Sequence, residues 1–342
     1  MKITTVGVDL AKNVFQVHGV DSRGKPALQR RLRRAQMSAF FAQLPVCLVG
    51  MEACASAHYW ARKLRGQGHT VRLIAPQFVK PYVKANKTDA ADAEAICEAV
   101  SRPNMRFVAI KEVHQQTVLS LHRARQGFVK ARTAQANQIR GLLGEFGLIV
   151  PPGIRHVSKR LPEILEDGQN ELPDEFRALL ARLRQHFLEL NRQVTELDDQ
   201  ITTWHRSNEH SQRLAQIPGI GPLTATAMVA SIGDARAFKN GREFAAWLGL
   251  VPRQHSSGGK VWLQGISKRG DSYLRMLMVH GARSATRVCE RKPTPTNEWS
   301  TALLRRRHPN VVSVARANKN ARIAWALLAH NRHYDGAYQV ID

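Results

Sequence analysis

Two aspartates three residues apart, Asp89 and Asp92 in Lys87-Thr88-Asp89-Ala90-Ala91-Asp92-Ala93, are the first residues whose type and spacing suggest chemistry. On a helix such positions share a face, with Cβ atoms about 5–6 Å apart, so the two carboxylates repel unless a cation joins them. The same spacing serves a helix start in which Asp89 caps and Asp92 sits at the third helical position, with no metal. Asp9 closes the apolar run Val6-Gly7-Val8, and Glu52 follows the apolar run Val46-Cys47-Leu48-Val49. An acid at the end of an apolar strand is costly to bury without a partner, and strand ends beside loops are where sites form in α/β sheets. Four of the seven acids in residues 1–100 thus fall at three such edges. Oxygen ligands of this kind suit Mg²⁺ or Mn²⁺, and paired ions about 3.5–4 Å apart activate one oxygen and stabilise the leaving one in phosphodiester cleavage. An aspartate after a first strand also occurs in actin-like and sugar kinases, but these need a second Gly-rich phosphate loop, and none follows here.

Three further segments carry chemistry less directly. In Ile217-Pro218-Gly219-Ile220-Gly221-Pro222, Gly219 and Gly221 permit a tight turn, after which free helix N–H groups face a phosphate, as in a helix-hairpin-helix module. The plainer reading is a C-capping glycine followed by a first-turn proline. Arg253-Gln254-His255-Ser256-Ser257-Gly258-Gly259-Lys260 reads as a Ser/Gly loop, and a serine there is ordinarily only loop. Lys268 and Arg269 form a basic turn before an amphipathic helix and offer a phosphate contact. His58, Trp262 and Cys289 read as packing or surface residues.

The elements that must position these residues differ along the chain. Val6–Val8 and Val14–Val20 read as two strands joined as a hairpin, with a third at Pro26–Leu32. A helix over Ala35–Leu44, a buried strand at Val46–Val49, a helix over Ala53–Gly66, a strand at Thr70–Ala75 and a helix over Thr88–Ser101 follow. From Val113 to Phe146 the pattern is helical, and Pro151-Pro152-Gly153 breaks it. A second long helix starts near Pro173-Asp174-Glu175, where Leu183, Phe187, Leu190, Val194, Leu197, Ile201 and Trp204 alternate at spacings of four and three. That seam fits either a helical hairpin within the chain or a coiled coil between chains. The remainder is mostly helical.

The 342 residues carry 51 Lys and Arg against 27 Asp and Glu, a net charge of +24. Such an excess needs a polyanion, and it is spread through folded segments rather than gathered in a tail. Cys47, Cys54, Cys97 and Cys289 lack any C-x-x-C spacing, against a disulfide framework or a cysteine zinc site. No run suits a membrane span or a secretory signal, so a cytoplasmic protein is expected.

Taken together, Gly7-Val8-Asp9, Met51-Glu52-Ala53, Asn86-Lys87-Thr88-Asp89-Ala90-Ala91-Asp92-Ala93, Ile217-Pro218-Gly219-Ile220-Gly221 and Ser256-Ser257-Gly258 resemble the DEDD-type insertion-sequence transposases related to Piv-type DNA invertases. The resemblance implies an α/β RNase H-like, Holliday-junction-resolvase-like domain over 1–105, a long-helix or coiled-coil region over 106–205 and a mainly α domain with a helix-hairpin-helix over 206–342. It implies Mg²⁺ ligands at Asp9, Glu52, Asp89 and Asp92, with Mn²⁺ a possible substitute. It also implies a covalent serine at Ser257, with Ser256 as the alternative. The partners implied are donor and target DNA, a structured bridge RNA as guide and further copies of the chain in a dimer or tetramer, with no membrane. Ala55 departs from the glycine of many relatives, which bears on local geometry. A junction-specific Mg²⁺ nuclease that leaves Ser257 idle and a non-catalytic nucleic-acid-binding assembly protein are the alternative readings.

Overall fold

The structure, a computed structural model, describes residues 2–83, 88–291 and 298–336, so Asn86 and Lys87 of the acidic motif lie outside the described residues. The chain divides into two compact units, Met1–His114 and Gln115–Asp342. In the first, β1 (Ile3–Leu10), β2 (Val14–Asp21) and β3 (Pro26–Arg33) form an antiparallel meander. After α1 (Met37–Ala42), β4 (Leu48–Glu52) pairs parallel with β1; after α2 (Ala57–Gly66), β5 (Thr70–Ile74) pairs parallel with β4. A short α3 (Pro76–Val79) precedes α4 (Asp89–Val100), and β6 (Phe107–Val108) closes the sheet antiparallel to β5. The strand order is β3-β2-β1-β4-β5-β6.

Side-chain alternation divides this sheet into two faces. Val6, Val8, Leu10, Phe15, Val17 and Leu32 turn one way and form a core with Met37 and Phe41 of α1 and Trp60, Ala61 and Leu64 of α2. The other face carries α4, whose Ala95, Ile96, Ala99 and Val100 pack with Ile74 and Val79. The crossover strands are shifted from their sequence expectation. β4 spans Leu48–Glu52 rather than Val46–Val49; Val46 is 67% exposed, and the strand runs through Gly50, which reads as a break when apolarity alone marks a strand. The following helix starts at Ala57 rather than Ala53, because the chain turns after the sheet edge, with the Cys54 N–H bonded to the Glu52 carbonyl and Ser56 at φ +67°.

The second unit is mainly helical. The long α5 (Val113–Gly144) and α7 (Asp174–Arg206) flank α6 (Ile154–Glu166), which the sequence pattern did not reveal. Arg125 pairs with Asp198, and Arg132 donates to Asn191; both pairs have the same index sum, as antiparallel helices require. The apolar seam of α7 therefore meets partners within the chain: Leu180 and Phe187 pack with Ile139, Leu143 and Leu161. A second core unites α8 (Glu209–Ala215), α9 (Pro222–Ile232), α10 (Gly241–Trp247), α11 (Ser272–Arg291) and α13 (Pro309–Ala329). α12 (Glu298–Leu304) precedes α13. The segment expected as a Ser/Gly loop is instead a hairpin of β7 (Pro252–Ser257) and β8 (Lys260–Ile266). Gly258 and Gly259, at φ +56° and +77°, supply the left-handed two-residue turn that matches the twist of paired strands.

Candidate functional site

The position of α4 is set by two glycines. A Cβ on Gly7 would lie 2.2 Å from the Ala93 carbonyl oxygen and 2.4 Å from the Cys97 nitrogen, and one on Gly50 would lie 2.7 Å from Val100 Cβ. The helix thus rests directly on β1 and β4. Because alternate strand residues share a face, Asp9 lies on the face of Gly7 and Glu52 on that of Gly50, the face that α4 covers. Val8 pairs with Met51, so Asp9 and Glu52 occupy the next positions on neighbouring parallel strands, about 4.8 Å apart in backbone.

The helix runs antiparallel to β1. Ala93 lies over Gly7, while Cys97, one turn later, donates its Sγ hydrogen to the carbonyl of Thr5, earlier on the strand. One turn back from Ala93 is Asp89, about 6 Å along the helix; two residues on from Gly7 is Asp9, about 6.6 Å along the strand in the same direction. The first turn of α4, with Asp89 and Asp92, is therefore carried to the sheet edge that holds Asp9 and Glu52. Neither aspartate is the cap. Thr88 takes that place, its Oγ1 accepting from the Ala91 N–H at 3.2 Å, which corrects the capping reading of Asp89. Asp89 is exposed and Asp92 half-buried.

The donor set fits a hard divalent cation. Its one soft neighbour, the Cys54 thiol, donates to the Leu10 carbonyl at 3.7 Å, and its pKa is raised by burial and then by the charges of Glu52 and Asp9. A thiol kept protonated by burial and by neighbouring carboxylates is a poor competitor as a thiolate ligand. Among the described residues no three His, Cys, Asp or Glu side chains are close enough together to hold a metal ion, so the four acids do not form a closed cluster. Sequence reasoning missed the neighbours of this edge. Asp9 pairs with Gln16, and Gln16 with Arg31, so Glu52, Asp9, Gln16 and Arg31 form a row across four strands. A groove of about 450 Å³ runs along the end of that row, lined by Gln16, His18, Arg31, Thr88 and Glu94 among others. The signal was the strand alternation within Arg30-Arg31-Leu32-Arg33-Arg34: Leu32 is buried in the opposite core, so Arg31 faces α4.

The other predicted site residues lie in the second unit. Gly219, at φ +96°, touches backbone: a Cβ there would lie 2.7 Å from the Gly281 carbonyl oxygen, so close packing of α11 accounts for it. Gly221 opens α9 with nothing within 4 Å of its would-be Cβ. Lys268 and Arg269 are exposed on a turn anchored by the Lys268 N–H to the Gly249 carbonyl at 3.1 Å. Ser257 pairs with Lys260 at the hairpin tip, and the whole of β7 is exposed. Ser256 lies on the opposite face of the strand, and its Oγ accepts from Gln254 Nε2 at 2.8 Å.

A model described as Transposase, for the DEDD type of IS110, matches residues 6–147, and one described as Transposase IS116/IS110/IS902 family matches residues 211–297. The chain is 55% identical to a "Probable family 20 transposase" of Pseudomonas aeruginosa over 98% of its own length and 99% of that protein's. It is 45% identical to the transposase for insertion sequence element IS1328 of Yersinia enterocolitica, covering 95% of this chain and 96% of that one. The transposase for IS1111A of Coxiella burnetii is also 45% identical, over 97% and 91% of the two chains. A mixed α/β sheet with carboxylates at one edge, joined to a mainly helical unit in a basic chain, here defines an enzyme that acts on DNA. The chain belongs to the IS110/IS116 family of DEDD insertion-sequence transposases. Membership points to divalent-metal dependence. No described helix is long and apolar enough to cross a membrane.

Proposed function

We propose that this transposase cuts and rejoins donor and target DNA with Mg²⁺ held by Asp9, Glu52, Asp89 and Asp92 on an RNase H-like sheet. The observation that carries the reading is the shared face: Gly7 and Gly50 seat α4 so that its first turn meets the strand ends bearing the other two acids. A divalent ion there would stabilise charge developing on the phosphate and on the departing oxygen. The carboxylates bind and orient, while the Gln16 and Arg31 row offers donors to the flanking backbone.

For the attacking group we place Ser257 ahead of Ser256. It stands at an exposed hairpin tip opposite Lys260, whereas Ser256 faces the other way and is held by Gln254. A serine that attacks the phosphorus exchanges the DNA phosphodiester for a phosphoserine diester and releases a DNA hydroxyl. Attack by such a hydroxyl on the phosphoserine rejoins a strand and frees the serine, as the resemblance to Piv-type invertases implies. The DEDD type of the family model over residues 6–147 points toward the alternative, in which water attacks and the strand stays cut. On the same resemblance we propose a structured guide RNA, a homo-oligomer, a helix-hairpin-helix at Gly219–Gly221 and phosphate contacts from Lys268 and Arg269. Purified protein with its element's RNA, a branched donor, a target and Mg²⁺ tests the reading by recombinants and covalent protein–DNA adducts. Asp9→Asn or Asp92→Asn should abolish all products, and Ser257→Ala should abolish adducts and recombinants. Cutting by Ser257→Ala without an adduct selects the nuclease. Full activity of Asp92→Asn overturns the carboxylate site.

A further inference from the structure

The β7–β8 hairpin has no covering on either face: every residue from Pro252 to Ser257 is exposed, as are all but the last of β8. Three consecutive large apolar residues, Val261, Trp262 and Leu263, are 62%, 70% and 65% exposed. Single exposed apolar residues are ordinary, but a run of three on a two-stranded ribbon, itself marginal in water, calls for an occupant. The ladder decides what each face presents. His255 pairs with Trp262 and Ser257 with Lys260, so these four share one face, while Ser256 pairs with Val261 and Gln254 with Leu263 on the other. From Phe244 to Gly270 there is no acidic residue, whereas Arg253, Lys260, Lys268 and Arg269 are basic. A second copy of so cationic a ribbon is repelled, and a polyanion is drawn in. An aromatic face beside cations is the pattern that holds single-stranded nucleic acid, since every base offers a π-face.

We propose that the hairpin binds an unpaired DNA strand, with a base stacked on the Trp262 indole and the adjoining phosphate held by Lys260. This rests on the chain's membership of a DNA-acting family and not on the serine step. The test is binding by the full-length protein in EDTA to a short fluorescein-labelled single-stranded oligonucleotide, with a 2-aminopurine variant reporting stacking. Trp262→Ala should weaken binding roughly ten- to hundredfold and abolish the 2-aminopurine quenching, while Trp262→Tyr restores most of both. Lys260→Gln should instead lower the slope of log affinity against log salt by about 0.7. Unchanged melting of Trp262→Ala would assign its loss of binding to the lost ring. Wild-type affinity in Trp262→Ala overturns the proposal, as does an effect confined to RNA. A fall in oligomeric state with DNA binding intact also overturns it, making a second copy the occupant. Because no cleavage is read, loss of the carboxylate site's activity would leave a positive result here standing, and the reverse also holds.

Discussion

At the scale of single residues, the carboxylate edge depends on atoms that do no chemistry. Gly7→Ala would drive a methyl into the Ala93 carbonyl, where backbone rather than a flexible side chain must yield. A cost of about 2–3 kcal/mol, typical of overpacking and seen as a lower urea midpoint at unchanged slope, is expected together with loss of cleavage. Cys54 gives a readout of the same edge that needs no activity. Its pKa is raised by burial first, then by Glu52 and Asp9. Glu52→Gln removes one of these charges, so the pH profile of Cys54 alkylation should move to lower pH; an unmoved profile would separate Glu52 from the thiol. The acids were legible as types and as positions near strand ends. Gln16 and Arg31 were not, because their place beside Asp9 comes from cross-strand register, and the arginine run looks the same in sequence whichever face it presents.

Between elements, a buried polar junction ties α5, α9 and α11 together. His122 is 1% exposed and lies 3.0 Å from both the Tyr273 hydroxyl, at Nδ1, and Thr226 Oγ1, at Nε2. The Thr226 hydroxyl donates to the Pro222 carbonyl at 2.8 Å, so Nε2–H donates to Thr226, and in the neutral ring Nδ1 accepts from Tyr273. Burial, with a smaller push from Arg125, lowers its pKa to about 4. The unfolded chain therefore binds the proton more readily, and the stability that neutral His122 contributes is full above about pH 6.5 and lost as pH falls toward 4. That amounts to about 3 kcal/mol, and His122→Ala should flatten this part of the stability curve in denaturant titrations at several pH values. The Arg125–Asp198 pair beside it, with Nε to Oδ1 at 2.5 Å, joins α5 to α7. A double-mutant cycle should return about 1 kcal/mol of coupling, since Asp198 is partly exposed. The heptad spacing announced α7 and its apolar seam. Whether the seam closed within the chain was decided by the antiparallel partner, which spacing on one helix does not encode.

For the whole molecule, the net charge of +24 sets how it meets DNA. Affinity for duplex of any sequence should drop about 10³-fold or more between 50 and 200 mM salt, as for a protein making six or more phosphate contacts, and a salt-insensitive isotherm would refute backbone gripping. The sequence by itself determined the charge, the α/β opening, the two long helices and the identities of the four acids, because composition and periodicity are local properties. It misjudged β4, since a glycine inside a buried strand looks like a break until α4 is found lying on it. It passed over α6, and it read a loop where Gly258 and Gly259 close a hairpin. Only the tertiary structure decided which face Asp9 and Glu52 share, that Thr88 and not Asp89 caps α4, and that Trp262 stands in solvent. A strand's facing reverses with a one-residue change of register, and the register was set by pairing and helix packing between residues distant in the chain.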